Sequence, residues 1–559
     1  MRRLGRAPLA AWVVCACVVC AVAACAIAEA VPEGVEAVAT DDERELREAM
    51  RPIRGTTRLL VFAIDGLGRA QMAQLLFSGQ APHTRRLTGR RLGRTSRYEH
   101  AYLIPETLST LPSSTIAGWT ALFTGATPAV SGIPGNEFFD RDSQTFYAIA
   151  PTGVSSRLQA LQAINDGLLN DLIEVPTLYE RVGLRTHVSL SQIYRGADLY
   201  TKSKTSLLEL LVRKAVAAGD DEADKSPYAA IDEDSYDSMR GGWERYGLPD
   251  IQIVYLPGLD LYSHVTEDPL RKQMHYYEQI VEPLVAKAVA EYELRGALAD
   301  TWIMFVSDHG HTPVIADAAH ALEVDDLVEA FESVGYDLRP AALTVDDEDF
   351  TAVLASQGGL AYVYLADRAD CPEGISCRWQ QRPRWEEDVR PVVEMLDRYN
   401  GERVGLGGKI AAVLTRDPRY AGAPFQVWED GRLHDVDAWL EANDMGHLLE
   451  FDRRLRELTD GPSGGLAGEI ILVPHYGMRY PAAERFYFAK PMTSVHGSAT
   501  VEDSRFTWLV VHPRRSGAEI QRMVEPVVAG MARQEQFVPL ALHVLEAAPA
   551  TANARLPRR

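Results

Sequence analysis

Residues 301–310 read Thr301-Trp302-Ile303-Met304-Phe305-Val306-Ser307-Asp308-His309-Gly310. An apolar run meets a turn, and a carboxylate and an imidazole follow at once. Such a run, bounded by turn residues, suits a buried strand. An Asp and a His placed directly beyond it are costly to bury unless something uses them. The same pattern occurs elsewhere. Residues 58–64, apolar after Arg58, end in Asp65-Gly66, and residues 251–256 end in Pro257-Gly258 with Asp260 and His264 just beyond. Residues 470–474 and 508–512 form similar runs, and helical patterns such as 269–295 lie between them. This alternation predicts an α/β fold, a largely parallel sheet with helices on both faces.

Ligands in open α/β sheets bind outside the carboxyl ends of the strands. Asp65, Asp260, His264, Asp308 and His309 all fall there. If the strands are neighbours, these side chains converge on one edge. Mixed Asp and His ligation suits zinc, and oxygen-rich sites also tolerate manganese or calcium. A second feature is the hydroxyl-rich loop Leu111-Pro112-Ser113-Ser114-Thr115, which feeds an amphipathic helix that Gly125 and Pro128 end. A hydroxyl at such a helix start serves as a cap or as a nucleophile. Backbone N–H groups there favour an anionic phosphoryl group.

The chain has 559 residues, 46% hydrophobic and 24% charged, enough for a sizeable core. Its net charge of −21 argues against binding a nucleic-acid duplex. An anionic substrate would then need local positive charge, which metal ions supply. Residues 1–30 have a basic start and an uncharged apolar run, and read as an export signal. Cleavage before a lipidated Cys25, cleavage after Ala28-Glu29-Ala30, and retention as an anchor are the three alternatives. The protein is expected to be periplasmic, secreted or membrane-anchored. Residues 31–55 read as a tether, 56–318 and 468–546 as the core, 319–467 as an insertion or cap, and 547–559 as a disordered tail. Cys371 and Cys377 flank a turn-like stretch and are expected to form a disulfide in an oxidising compartment.

Together these pieces resemble the alkaline phosphatase superfamily, and within it the type I phosphodiesterase and nucleotide pyrophosphatase branch. The motifs occur in order: Asp65-Gly66, Thr115 with Thr124-Gly125, Asp260-x-x-x-His264, Ser307-Asp308-His309-Gly310, and Val495-His496-Gly497-Ser498. The resemblance implies two divalent metal ions, expected to be zinc. One would be held by Asp260, His264 and His496, the other by Asp65, Asp308, His309 and Thr115. It implies Thr115 as the nucleophile, a phospho-threonine intermediate, and Asn136 as a phosphate-binding residue. His311 and His320 match nothing in the motif and read as surface or core histidines. The substrate class implied is a small phosphate ester, with diester or pyrophosphate bonds ahead of monoesters. Ile116-Ala117-Gly118 stands where the branch has Phe-Pro-Asn, so its base-stacking aromatic is missing. Arg195 matches half of a monoesterase motif and is the candidate clamp for a monoester's extra charge, or else a structural ion-pair partner. A non-catalytic envelope binding protein is the remaining alternative.

Overall fold

The computed structural model describes residues 43–45, 49–55, 57–150, 167–202, 226–340, 350–369, 379, 381–402, 406–528 and 530–546. The export signal, the tail after 546, and Cys371 and Cys377 with their expected disulfide lie outside the described residues. Among those residues no helix is long and apolar enough to cross a membrane.

An eight-stranded sheet organises the core. Its order is Glu43–Glu45, Leu199–Thr201, Thr186–Ser189, Ile251–Leu256, Arg58–Ile64, Thr301–Val306, Trp508–Val511 and Ala101–Leu103. The five strands from Leu199–Thr201 to Thr301–Val306 run parallel. Residues alternate between the two faces of the strand Arg58–Ile64. Leu59, Val61 and Ala63 enter one hydrophobic cluster, and Leu60, Phe62 and Ile64 enter another. Both faces are therefore buried, which is why the strand reads as an unbroken apolar run. Helices Thr115–Thr124 and Phe537–Val544 pack on the first face, and Arg69–Ser78 and Pro227–Tyr246 on the second. Each fully buried large side chain contributes roughly 1.5–3 kcal/mol through removal from water.

Two strands differ from the expected pattern. Trp508–Val511 joins the core sheet but runs antiparallel to both neighbours. Ile470–Pro474 is not in the core sheet. It lies inside a second, six-stranded sheet with Ala352–Ser356, Ala361–Leu365, Ile410–Thr415, Gln426–Glu429 and Arg432–His434, in which every pair is antiparallel. An apolar run bounded by turns carries no information about which sheet it joins. The insertion read as 319–467 is thus a folded unit that needs residues 470–474 to complete it. The tether expected over 31–55 also ends early. Glu43–Glu45 pairs with Leu199–Thr201, and the Arg51 guanidinium pairs with buried Asp198 at 2.7 Å and donates to the Tyr179 and Gly196 carbonyls. A polar, charged stretch looked solvated because its partners lie more than 120 residues away.

Candidate metal centre

Three parallel strands end side by side, and their next residues build one buried cluster. Asp65 follows the strand Arg58–Ile64, and its N–H still donates to the Leu256 carbonyl at 3.1 Å. Asp65 Oδ2 accepts from Trp119 Nε1 at 3.1 Å and from the Tyr255 hydroxyl. Asp65 Oδ1 has no hydrogen-bond partner and lies 3.5 Å from His309 Nε2. Asp308 repeats the arrangement. Its Oδ1 accepts the Gly66 N–H at 3.1 Å, while Oδ2 is unpartnered and 3.3 Å from His309 Nε2. Thr115 Oγ1 closes this group, 3.3 Å from the same nitrogen.

Thr115 is the first residue of the helix Thr115–Thr124, after extended Ser114. All ten residues of that helix are buried, and Gly125 ends it in the left-handed region with its N–H bonded to Ala121 O. The helix approaches the Asp308 loop so closely that a Cβ at Gly118 would stand 2.9 Å from Asp308 Cβ. Glycine there is what lets the hydroxyl reach the carboxylates.

The second group starts on the short helix Gly258–Ser263. Asp260 and His264 are one turn apart, with His264 Nε2 3.4 Å from Asp260 Oδ2. His496 Nε2 lies 3.6 Å from Asp260 Oδ1. A two-residue ribbon, Thr312–Pro313 against Ser494–Val495, ties the loop after Asp308 to the segment carrying His496. The rings of His309 and His496 stack at 3.6 Å between centroids, so the two groups adjoin.

Each imidazole is oriented from behind. His264 Nδ1 lies 2.7 Å from Ser494 O, His309 Nδ1 3.0 Å from Gly310 O, and His496 Nδ1 3.1 Å from Ser113 O. A carbonyl accepts only, so each Nδ1 carries the hydrogen and donates. Each neutral ring then turns an Nε2 lone pair to the cluster, the tautomer a metal requires.

The electrostatics point the same way. Burial, and then the Asp260 charge, push the Asp65 carboxyl up to about 8. Burial and the charges of Asp65 and Asp260 hold Asp308 well above the usual carboxylate range. Burial depresses His309 to about 3 and takes His496 well below its ordinary value, with His309 adding to the second shift. Three buried carboxylates this close resist ionising together unless cations join them.

The residues present fit divalent metal ions. Two ligands bound to one zinc at about 2.0–2.1 Å with a tetrahedral angle stand about 3.3 Å apart. The ligand pairs here stand 3.3 to 3.6 Å apart. Asp65, Asp308 and His309 form one candidate triad, and Asp260, His264 and His496 another. Both were expected from the sequence.

Asn136 reaches the same place. Its Oδ1 accepts the Ile116 N–H at 2.9 Å, and its own backbone N–H donates to Gln357 Oε1 at 2.8 Å. It lines a cleft with His264, His496, Gln357 and Met492. Thr115 itself lines a smaller cavity, walled by Ile116, Trp119, Leu169, Ile193 and Tyr255.

Arg195 is a correction. Its guanidinium pairs with Glu180 at 3.2 Å and donates to the carbonyls of Asn170, Ile173 and Val175. All of its nitrogens serve the fold, so none is left to clamp a substrate. The ion-pair alternative holds, with Glu180 as the acid. His311 takes the core alternative of its reading. It is fully buried within the cluster, its Nε2 2.9 Å from Asp260 Oδ1. His320 pairs instead with Asp317 and stacks on Phe486, its side chain 14% exposed.

Sequence reasoning also missed Trp119, Tyr255 and Gln357. Tyr255 left a signal, a hydroxyl near the end of a largely apolar central strand. The indole of Trp119 left none, because a buried Trp in an apolar helix looks like core. Gln357 comes from the second sheet, and no local pattern links it to Asn136.

Buried donors gathered for cations beside a helix-borne hydroxyl are equipment for hydrolysing phosphoric esters, and this enzyme is a phosphoric ester hydrolase on an alkaline-phosphatase-like core. It belongs to the type I phosphodiesterase / nucleotide pyrophosphatase family, whose model matches residues 59–382, more than half of the chain. No curated protein matches it in sequence. Among solved structures, human ectonucleotide pyrophosphatase / phosphodiesterase 5 shares the fold with a TM-score of 0.51 at 12% identity, covering 89% of this chain and 96% of that one. The murine protein of that name aligns over 89% of this chain and 97% of its own at 12% identity, with a TM-score of 0.49. Phosphonoacetate hydrolase from Sinorhizobium meliloti 1021, in complex with phosphonoformate, aligns over 89% and 100% at 15% identity, with a TM-score of 0.44.

Proposed function

We propose that this enzyme cleaves phosphodiester or pyrophosphate bonds of small molecules, with Thr115 as its nucleophile. The observation that carries the proposal is the seat of Thr115 Oγ1. It lies at a helix N-terminus, 3.3 Å from His309 Nε2 and beside the unpartnered oxygens of Asp65 and Asp308.

Two divalent ions, zinc by their donor set, would be held by Asp65, Asp308, His309 and Thr115 on one side and by Asp260, His264 and His496 on the other. When bound, such ions lower the pKa of hydroxyl and water and neutralise charge on the attacking and leaving oxygens. The chain's own groups do the rest. Thr115 Oγ1 attacks phosphorus as the bond to the leaving oxygen breaks, and the phosphoryl group passes to threonine. Water then cleaves the phosphorus–oxygen bond to Thr115 and restores the hydroxyl. The Asn136 amide, fixed by its bond from Ile116 N–H, turns its NH₂ to a non-bridging oxygen. The first turn of the buried helix adds backbone dipole to the same oxygens.

Diesters are favoured over monoesters by the walls of the site. Neither the cleft at Asn136 nor the cavity at Thr115 is lined by a described Lys or Arg. A monoester carries an extra negative charge that calls for such a partner. On the export reading of residues 1–30, the enzyme works outside the cytoplasm.

The test is cleavage of bis-p-nitrophenyl phosphate and p-nitrophenyl phosphate by the zinc-loaded protein and by Thr115→Ala. Faster cleavage of the diester, lost in the variant while its metal content stays, is expected. Undiminished turnover in Thr115→Ala contradicts the nucleophile assignment, and a preference for the monoester contradicts the substrate class.

A further inference from the structure

The helix Phe451–Thr459 of the inserted region carries three arginines, and two of them behave as surface residues do. Arg453 pairs with Glu450 and Glu457, and Arg456 pairs with Asp452, both arginines more than half exposed. Arg454 turns inward and is fully buried. Among the described residues it forms no ion pair, and its Nε has no hydrogen-bond partner. Burying a cation without a carboxylate costs stability that an apolar side chain of similar size would not. Its burial calls for a role beyond packing.

The remaining donors of Arg454 go to one place. One terminal nitrogen donates to the Thr110 carbonyl and to Ser113 Oγ, both at 2.8 Å, and the other donates to Ser504 Oγ at 2.8 Å. Ser113 Oγ is thereby committed. It accepts from Arg454 and, at 2.7 Å, from Ser109 Oγ, so its one hydrogen goes to Ser498 O, also at 2.7 Å. The Ser113 carbonyl takes the Nδ1–H of His496 at 3.1 Å. One guanidinium therefore joins three stretches of chain: the loop 110–113, the segment 498–504 beyond His496, and the inserted helix. Thr115 starts its own helix two residues past Ser113. A planar guanidinium fixes direction as well as distance, because its N–H groups form a rigid fork.

We propose that Arg454 is a positioning residue for phosphoryl transfer, holding Ser113 so that Thr115 Oγ1 stays aligned with the ligand cluster. Arg454 lines neither cavity and acts through Ser113. The inserted region thus contributes to the chemical step as well as to the wall of the cleft. Loss of the guanidinium frees the loop and misaligns the attack without emptying the site. A misplacement of about 1 Å can cost about a hundredfold in rate. The inference rests on the assignment of Thr115 as nucleophile, and the test separates the two.

The experiment measures kcat, KM and bound zinc at saturating zinc, with bis-p-nitrophenyl phosphate as substrate. It compares the wild type with Arg454→Met, Arg454→Lys, Ser113→Ala, the double variant of Ser113→Ala with Arg454→Lys, and Thr115→Ala. Arg454→Met should lower kcat about 100-fold with KM and bound zinc unchanged. Arg454→Lys keeps the charge but donates from one point, and should recover part of that loss. Because Arg454 acts through Ser113, Arg454→Lys should cost little more once Ser113→Ala is present, so the two losses do not multiply. Three results overturn the proposal: wild-type kcat in folded Arg454→Met, a fall in kcat that only follows lost zinc or lost folded protein, or losses that multiply in the double variant. Should Arg454→Met fail to fold, the cycle built on Arg454→Lys decides. Undiminished turnover in Thr115→Ala overturns the nucleophile assignment and this inference with it. With Thr115→Ala inactive, any of the three results counts against Arg454 alone.

Discussion

The two sheets of this enzyme divide the work. The eight-stranded core sheet positions Asp65, Asp260, Asp308 and His309 at the ends of adjacent parallel strands, and the packed helix Thr115–Thr124 adds the hydroxyl. The six-stranded sheet contributes none of the candidate metal ligands. It meets the centre through Gln357, which holds the Asn136 loop, and through backbone at Gly358 and Gly359 packed against His496 and Ser498. From the same inserted region, fully buried Arg454 donates to Ser113 Oγ and to the Thr110 carbonyl behind Thr115. A parallel sheet gathers residues distant in sequence at one edge, where cations are to be held. The antiparallel sheet beside it lines the cleft at Asn136 through Ser356, Gln357 and Gly358. Variants of the first sheet should therefore change metal content and turnover together. Variants of the second should change substrate preference with the metal in place.

The largest effect is expected at Thr115. Thr115→Ala should lower kcat/KM on the order of a thousandfold or more, with zinc content by elemental analysis unchanged. Asp260→Asn and Asp308→Asn come next. Each should lose a metal ion on dialysis and nearly all activity, because a carboxylate oxygen with no other partner is removed from its site. Tyr255→Phe deletes one donor to Asp65 Oδ2 and leaves the Trp119 bond. Its zinc affinity, measured by competition with a chelator, should fall about 10- to 100-fold. Gln357→Ala sharpens the comparison from the other side. It should shift the ratio of diester to monoester cleavage a few-fold and cost about 1 kcal/mol of stability, while metal content holds.

The smallest effect concerns pH. Asp232 accepts the Gly258 N–H and the Tyr276 hydroxyl beneath the helix that carries Asp260, and burial raises its carboxyl to about 7. A folded-state pKa above the unfolded 3.8 means that folding takes up a proton. The contribution is fully present below the unfolded value and is lost as pH rises through about 7. Asp232→Asn should therefore flatten the decline in chemical stability between about pH 4 and 7. An unchanged slope would remove Asp232 from the account.

The fold class and much of the centre were legible because Asp65, Asp308 and His309 stand directly after apolar runs and Asp260 a few residues past another, whereas Thr115 and His496 came from the order of motifs in the resemblance. Asp65, Asp308 and His309 announce themselves by interrupting hydrophobic strands, and the spacing of Asp260 and His264 puts them on one face. His311 shows where that legibility ends. It stands two residues beyond His309, but its place depends on the ribbon Thr312–Pro313 with Ser494–Val495, a pairing across some 180 residues. Arg195 failed in the opposite direction. A guanidinium near a promising segment resembles a clamp until Glu180 and three carbonyls are seen to occupy it. The region 319–467 was read as an insertion or cap without its sheet, because the strands there are short and antiparallel and the central strand, Ile470–Pro474, follows a long excursion and was read into the core.

The most direct test of the central claim strips the protein with a chelator and adds zinc back. Cleavage of bis-p-nitrophenyl phosphate is followed against zinc bound per chain, for the wild type and Thr115→Ala in parallel. The account predicts no cleavage by the stripped protein, recovery that is complete at two zinc ions per chain, and no recovery in the variant although it binds the same zinc. Cleavage by the metal-free protein, or full recovery in Thr115→Ala, would contradict it.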